Sequence, residues 1–279
     1  MRRPPRGSDP TRRQYLRRTA AGLGVGGLAA TAGCLGGVRD DISSPATAIG
    51  GTSATTETSL SSDEFTAYAE SQRERYGDHG VWGAGGTEPD HGLKFAGAWT
   101  RRVGVTTDGS PDPQPDSTDG LRAVADAAVA AYEIPRNDDE ADHYQLWLWA
   151  AGNLLADTDG GLLAASPELR RVEIGVGLTG DGAAMGPYAP GSDRSTGPVT
   201  VGSDSPNVGG PAASVPLESG EIRVVPDRTG FDENAYAVEW RGHHDGRQSV
   251  NATCEAAWEP GAAPAFDLSA RLAADRRRL

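Results

Sequence analysis

The chain has 279 residues, with 26 Lys and Arg against 39 Asp and Glu, a formal net charge of −13. That balance, with no basic patch to displace counterions from phosphates, excludes nucleic acid as a partner. Two cysteines, Cys34 and Cys254, cannot supply a disulfide framework, so a folded part must be held by its core.

The first 33 residues stand apart from the rest. Arg2, Arg3, Arg6, Arg12, Arg13, Arg17 and Arg18 form a basic head, and the stretch from Thr19 to Gly33 carries no charge. A membrane-spanning helix needs about 20 mostly apolar residues, and this shorter run of Ala, Gly and Thr reads instead as a signal segment. Thr11-Arg12-Arg13-Gln14-Tyr15-Leu16-Arg17 resembles a twin-arginine export motif, and Thr31-Ala32-Gly33-Cys34 resembles a lipobox, with Thr31 where Leu is commonest. The resemblance implies handling by the twin-arginine translocase through Arg12 and Arg13. It also implies cleavage after residue 33 and a lipid on Cys34 that holds the protein at the outer face of the cytoplasmic membrane.

Without residues 1–33, which hold seven Arg and one Asp, 19 basic and 38 acidic residues remain, and Lys94 is the sole lysine. A carboxylate-dense, lysine-poor chain resembles proteins of extreme halophiles. In molar salt the screening length falls to about 3 Å, so like-charge repulsion no longer opens the fold. Low salt is expected to destabilise it. Together the leader and the composition resemble a haloarchaeal lipoprotein.

From Leu35 to Ser61 the chain is rich in Ser, Thr, Ala and Gly, a composition that buries too little apolar surface to offset ordering. Residues 34–61 therefore read as the lipidated Cys and a flexible tether, and 62–279 as a single β-rich ectodomain. Ser61 and Glu64 suggest a capping box, after which Phe65, Tyr68, Ala69, Gln72 and Tyr76 recur at helical spacing until Gly77. Beyond it the period is mostly two. Leu93, Phe95, Gly97, Trp99, Arg101 and Val103 share one face of a strand, as do Val172, Ile174, Val176 and Leu178. Further strands are expected at 198–201, 213–217, 221–225, 235–240 and 249–258.

Three segments are less regular. Thr118 as cap, with Leu121, Val124, Ala125, Ala128, Val129 and Tyr132 at helical spacing up to Pro135, predicts a helix. Residues 143–151 fit helix or strand, and the run Tyr144-Gln145-Leu146-Trp147-Leu148-Trp149, apolar on both faces, favours a central strand. Leu268 to Leu279 reads as a terminal helix ending in Arg276-Arg277-Arg278. The fold class expected is mainly β, an antiparallel sandwich with one or two packed helices.

Tyr236, Val238 and Trp240 alternate, His243-His244-Asp245-Gly246 supplies turn residues, and Val250, Ala252, Cys254, Ala256 and Trp258 alternate again, which predicts a hairpin. In that register Asn251, Thr253 and Glu255 face solvent, and Asn251-Ala252-Thr253 is an N-glycosylation sequon there. Met185 to Gly191 reads as an exposed, turn-rich insertion able to touch a ligand, and Trp82 lies in a Gly-rich loop.

Motifs of chemistry are few. An exported lipoprotein with a lone Cys suggests a blue-copper carrier of the halocyanin kind, but no His or Met follows Cys254 to complete such a site. His243, His244 and Asp245 sit at a turn where neighbouring side chains diverge, and no calcium loop can be written around the acidic run 138–142 or around Asp157-Thr158-Asp159-Gly160. No metal or cofactor is expected. There is no nucleophile elbow, phosphate loop or zinc-protease motif, and acid pairs for glycoside hydrolysis cannot be singled out among so many carboxylates. The function expected is a non-catalytic binding or envelope-structural module. Alternatives are an extracytoplasmic hydrolase, with polysaccharide among its substrate classes, and a transporter solute-binding lipoprotein, which would show alternating strands and helices. The ectodomain's ligand is not legible.

Overall fold

A computed structural model of the chain describes residues 46–53, 59–80, 93–107, 111–112, 117–135, 140–155, 167–191, 194–196, 199–201 and 213–276. The export motif at Arg12 and Arg13, Cys34, Trp82, Asp157 to Gly160 and most of the acidic run 138–142 lie outside them.

In chain order the elements are β1 (Ala46–Ser53), α1 (Ser62–Tyr76), β2 (Lys94–Thr106), β3 (Pro111–Asp112), β4 (Leu121–Glu133), β5 (Asp142–Leu154) and β6 (Pro167–Leu178). There follow β7 (Ala184–Ala189), β8 (Val199–Val201), β9 (Ala213–Val215), β10 (Glu221–Val224), β11 (Ala235–His244), β12 (Arg247–Trp258) and β13 (Phe266–Arg276). Short 3₁₀ turns, Gly77–His79 and Pro226–Arg228, follow α1 and β10. Sheet A runs β1-β13-β6-β11-β10, sheet B runs β3-β2-β4-β5-β12-β7, and β8 and β9 form a two-stranded ribbon. Every ladder is antiparallel. The two large sheets pack face to face, so the expected sandwich is the fold. Alternating parallel strands and helices, which a two-lobed solute-binding protein would need, are not its topology.

Between the sheets lies one core. Val172, Ile174 and Val176 of β6, with Tyr236, Val238 and Trp240 of β11, meet Leu146 and Leu148 of β5 and Val250, Ala252 and Cys254 of β12. Period-two alternation placed the residues of β6, β11 and β12 correctly. The other face of sheet B is also buried: Phe65, Ala69 and Tyr76 of α1 pack on Ala128, Ala130, Trp147 and Trp149. Sheet B is thus the middle of three layers. The capping box forms as expected, with the Glu64 backbone N–H donating to Ser61 Oγ and the Ser61 backbone N–H donating to the Glu64 carboxylate at 2.8 Å.

The middle layer explains the first correction. Residues 121–133 are the strand β4, not a helix, and 12 of its 13 positions are buried. A strand covered on both faces loses its alternation, and its many Ala residues, good helix formers in isolation, leave room for α1 to approach. Residues 142–154 are likewise strand, on the side the aromatic run favoured. The terminal segment is also strand rather than helix: β13 lies between β1 and β6, with Phe266, Leu268, Ala270, Leu272 and Ala274 facing the core.

Four finer expectations change. Part of the segment read as tether, Ala46–Ser53, adds β1 to the edge of β13. A bulge between Phe95 and Gly97 splits the single face assigned to β2. Phe95 therefore packs with α1, while Trp99 and Val103 face the inter-sheet core. Met185 to Ala189 belong to the edge strand β7, with Met185 buried, rather than to an exposed insertion. The β11–β12 connection is a tight turn at Asp245-Gly246, but not a hairpin. β11 pairs with β6 and β10, and β12 pairs with β5 and β7, so the chain crosses between sheets and stacks two apolar faces instead of joining two edges.

Candidate functional site

Charge gathers on the outer face of sheet A. Along β6 and β11 the core-facing residues alternate with Arg171 and Glu173, and with Glu239 and Arg241. Antiparallel register then lines these up across strands: Arg223, Glu239, Glu173 and Arg271 form one rung over β10, β11, β6 and β13, and Glu221, Arg241 and Arg171 form the next. Glu173 and Glu239 are 0% and 1% exposed. Glu239 pairs with Arg171 at 2.6 Å, with Arg223 at 2.8 Å and with Arg241 at 2.8 Å. Glu173 pairs with Arg171, Arg228 and Arg271.

Arg228 reaches this rung from the 3₁₀ turn after β10 and also donates to Ser269 Oγ. Burial, together with the neighbouring Arg271 and Arg171 charges, lowers its pKa to about 10. Burial likewise lowers that of Arg171. Carboxylates lie underneath and guanidinium groups lie on top, so the skin of this face offers N–H donors.

At one end of the lattice the sheet opens into a groove of about 590 Å³, within the range of small-ligand sites. Register is broken on both sides of it. Between Arg171 and Leu169, β6 carries one residue more than β13, and between Arg241 and His244, β11 carries one more than β6. The first break lets Arg170 and Arg171, adjacent in sequence, both line the groove, where a regular strand would send them to opposite faces. Arg241, His243, Glu221 and Thr196 complete its polar lining, and Gly220, Gly242 and Ala273 its floor.

That floor is pinned. Trp240 Nε1 donates to the Ser219 carbonyl at 2.6 Å, and Ser219 Oγ donates to the His243 carbonyl at 2.8 Å. Gly220 has φ +82°, and a Cβ there would meet the Arg241 carbonyl at 2.2 Å, while one on Gly242 would strike the Trp240 indole at 2.5 Å. Only glycine fits either place. Around the rim Arg170 pairs with Asp275 at 2.9 Å, and His243 Nδ1 lies 3.0 Å from Glu168. Such an arrangement can offer direct hydrogen bonds to an oxyanion.

Of the described residues singled out in the sequence, only His243 enters this groove. His244 ends β11. Among the described residues no cluster of three or more His, Cys, Asp or Glu is placed to hold a metal ion. Cys254 is fully buried, and burial pushes its thiol pKa up. Asn251, Thr253 and Glu255 are not at the solvent face: all three are buried, Asn251 at 3% exposure. They lie on the face of β12 turned away from the inter-sheet core, and at that burial a glycan on Asn251 has no room in the folded chain. A Ser–His contact does occur, Ser249 Oγ to His79 Nδ1 at 3.1 Å, but both residues are buried. The nearby carboxylate, Asp126, lies two strands away and is held by Arg75, Arg102 and Tyr76.

The arginines and glutamates of sheet A were missed because their signal is conditional. Each alternates with core residues, but only the strand order β10-β11-β6-β13 brings them into common rungs.

No family model matches the chain, and no curated protein matches it. Among solved structures it is similar to the NetB toxin of Clostridium perfringens in its membrane-inserted form, at 10% identity and a TM-score of 0.26, over 63% of this chain and 91% of that chain. A likeness of that degree carries no argument.

Proposed function

We propose that this protein is an exported, membrane-held binding module that captures an anionic ligand in the arginine groove of sheet A. The observation that carries it is the layering of that face: buried Glu173 and Glu239 fix Arg171 and Arg241 from below, leaving guanidinium edges turned to the groove. A site built this way is pre-organised, so binding costs little side-chain entropy. It also suits molar salt, where long-range attraction is screened within about 3 Å and contact hydrogen bonds from a planar guanidinium persist. The abundance of Arg beside a single Lys fits the same chemistry.

Placement rests on the leader. Arg12 and Arg13 direct export through the twin-arginine translocase, and a lipid on Cys34 anchors the mature chain at the outer face of the membrane. In a halophilic host, Cys34→Ser is expected to move the protein from the membrane fraction to the soluble fraction, and undiminished membrane retention would remove the anchor. For the groove, the full mature chain in molar KCl should bind citrate by calorimetry, and Arg241→Gln should weaken it about tenfold. Equal binding by both proteins, or none by either, would end the anion-binding proposal.

A further inference from the structure

The groove holds more than cations, and its carboxylate is the informative part. Glu221 lines it with its carboxylate, and the cations beside it, Arg194 and Arg223, stand at 3.8 and 3.7 Å. Those separations exceed hydrogen-bond length, so the charges are balanced while the Glu221 oxygens keep their acceptor capacity. Across from it are Arg170, Arg171 and Arg241. Thr196 adds a hydroxyl, and Gly220, Gly242 and Ala273 complete the lining. A simple inorganic anion would gain from the arginines but would be repelled by Glu221.

We infer that the ligand of this groove is an acidic sugar of the uronate type, its carboxylate held by Arg171 and Arg241 and its hydroxyls donating to Glu221. The inference rests on the anion-binding function above and specifies its ligand. Both ligand groups are needed to use the lining: carboxylate oxygens accept from guanidinium N–H groups, and ring hydroxyls donate to a carboxylate that would otherwise repel the anion. The same chemistry is offered by a free sugar acid and by one residue of an acidic glycan chain.

The test is calorimetry of the full mature chain in molar KCl with galacturonate, polygalacturonate, galactose and sulfate. Galacturonate is expected to bind at least about tenfold tighter than galactose, the difference a charged hydrogen-bonded group makes. Glu221→Ala supplies the sharper readout, because its sign depends on the ligand. It should weaken galacturonate roughly tenfold by removing the hydroxyl acceptor, yet leave sulfate unchanged or tighter by removing a like charge.

Weakening for galacturonate alone supports the inference. If Glu221→Ala tightens both ligands, hydroxyl recognition is overturned while anion binding stands. If galactose binds as well as galacturonate, both fall. Polygalacturonate binding more tightly per residue than galacturonate would identify a glycan chain as the source, and equal affinity a single sugar; either supports the inference.

Discussion

Glu173 and Glu239 stand directly opposite each other on β6 and β11, two fully buried carboxylates in one register. Like charges so placed destabilise a sheet unless compensated, and here five arginines surround them, with Arg171 bridging the two. The pair is thus the buried anionic keel beneath the arginines of this face.

Removing half of that keel leaves guanidinium groups packed together without a counter-charge. Glu173→Gln is expected to cost about 3–5 kcal/mol, the scale of breaking a buried pair from one side. Adding Arg228→Met should restore part of the loss, because Arg228 is the arginine most weakened by burial and by its cationic neighbours. Urea unfolding of the single and double variants measures both. Additive losses would show that Arg228 does not depend on Glu173.

On the other side of the molecule Asp126 performs the equivalent task for α1. It accepts from Arg75 Nη1 at 2.8 Å and from Tyr76 Oη at 2.8 Å, both on the helix, and from Arg102 Nε of β2 at 2.7 Å. Asp126→Asn keeps the shape and removes the charge. The expected loss is about 3 kcal/mol, at the low end for a buried pair because both arginines partly reach solvent. Loosening should be local, so limited proteolysis is expected to cut within Ser62–Tyr76 before the sheets open.

These two centres show what could be seen in advance and what could not. The capping box at Ser61 and Glu64, the core faces of β6, β11 and β12 and the turn at Asp245-Gly246 were legible, since each depends on neighbours in sequence. β4 was not, because burial between α1 and sheet A erases the alternation that marks a strand. Asn251 was placed in water because nothing local to β12 announces that both of its faces are covered. The groove was hidden for a similar reason: Arg170, Arg241 and Glu221 come from three strands, and Arg170 joins the others only through a break of register in β6.

His79 gives the fold a dependence on pH. Its ring is buried against Ser249, and its carbonyl accepts from Trp149 Nε1 at 3.0 Å. Burial lowers its pKa from 6.5, outweighing the opposing influence of Glu218 and Asp78. Between the lowered value and 6.5 the unfolded chain therefore binds more protons than the folded one, so stability rises with pH across that window and falls on acidification. Urea midpoints measured from pH 7.5 downwards should drop on the acid side of 6.5, and His79→Gln should flatten the drop. An unchanged slope in the variant would assign the effect to other groups.

Cys254 offers a probe of the inter-sheet core. Its thiol faces the apolar layer with Trp258, and burial followed by the Glu255 charge pushes its pKa upward, away from the reactive thiolate. In a Cys34→Ser background, where Cys254 is the one remaining thiol, a thiol reagent at pH 8 should leave the native protein unlabelled over hours and react fully in denaturant. The rate between those limits reports opening of the sandwich. It should rise in Glu173→Gln, which lowers the cost of global opening, more than in Asp126→Asn, whose effect is confined to the helix. Rapid labelling of the native protein would mean that the two sheets separate far more readily than their packing implies.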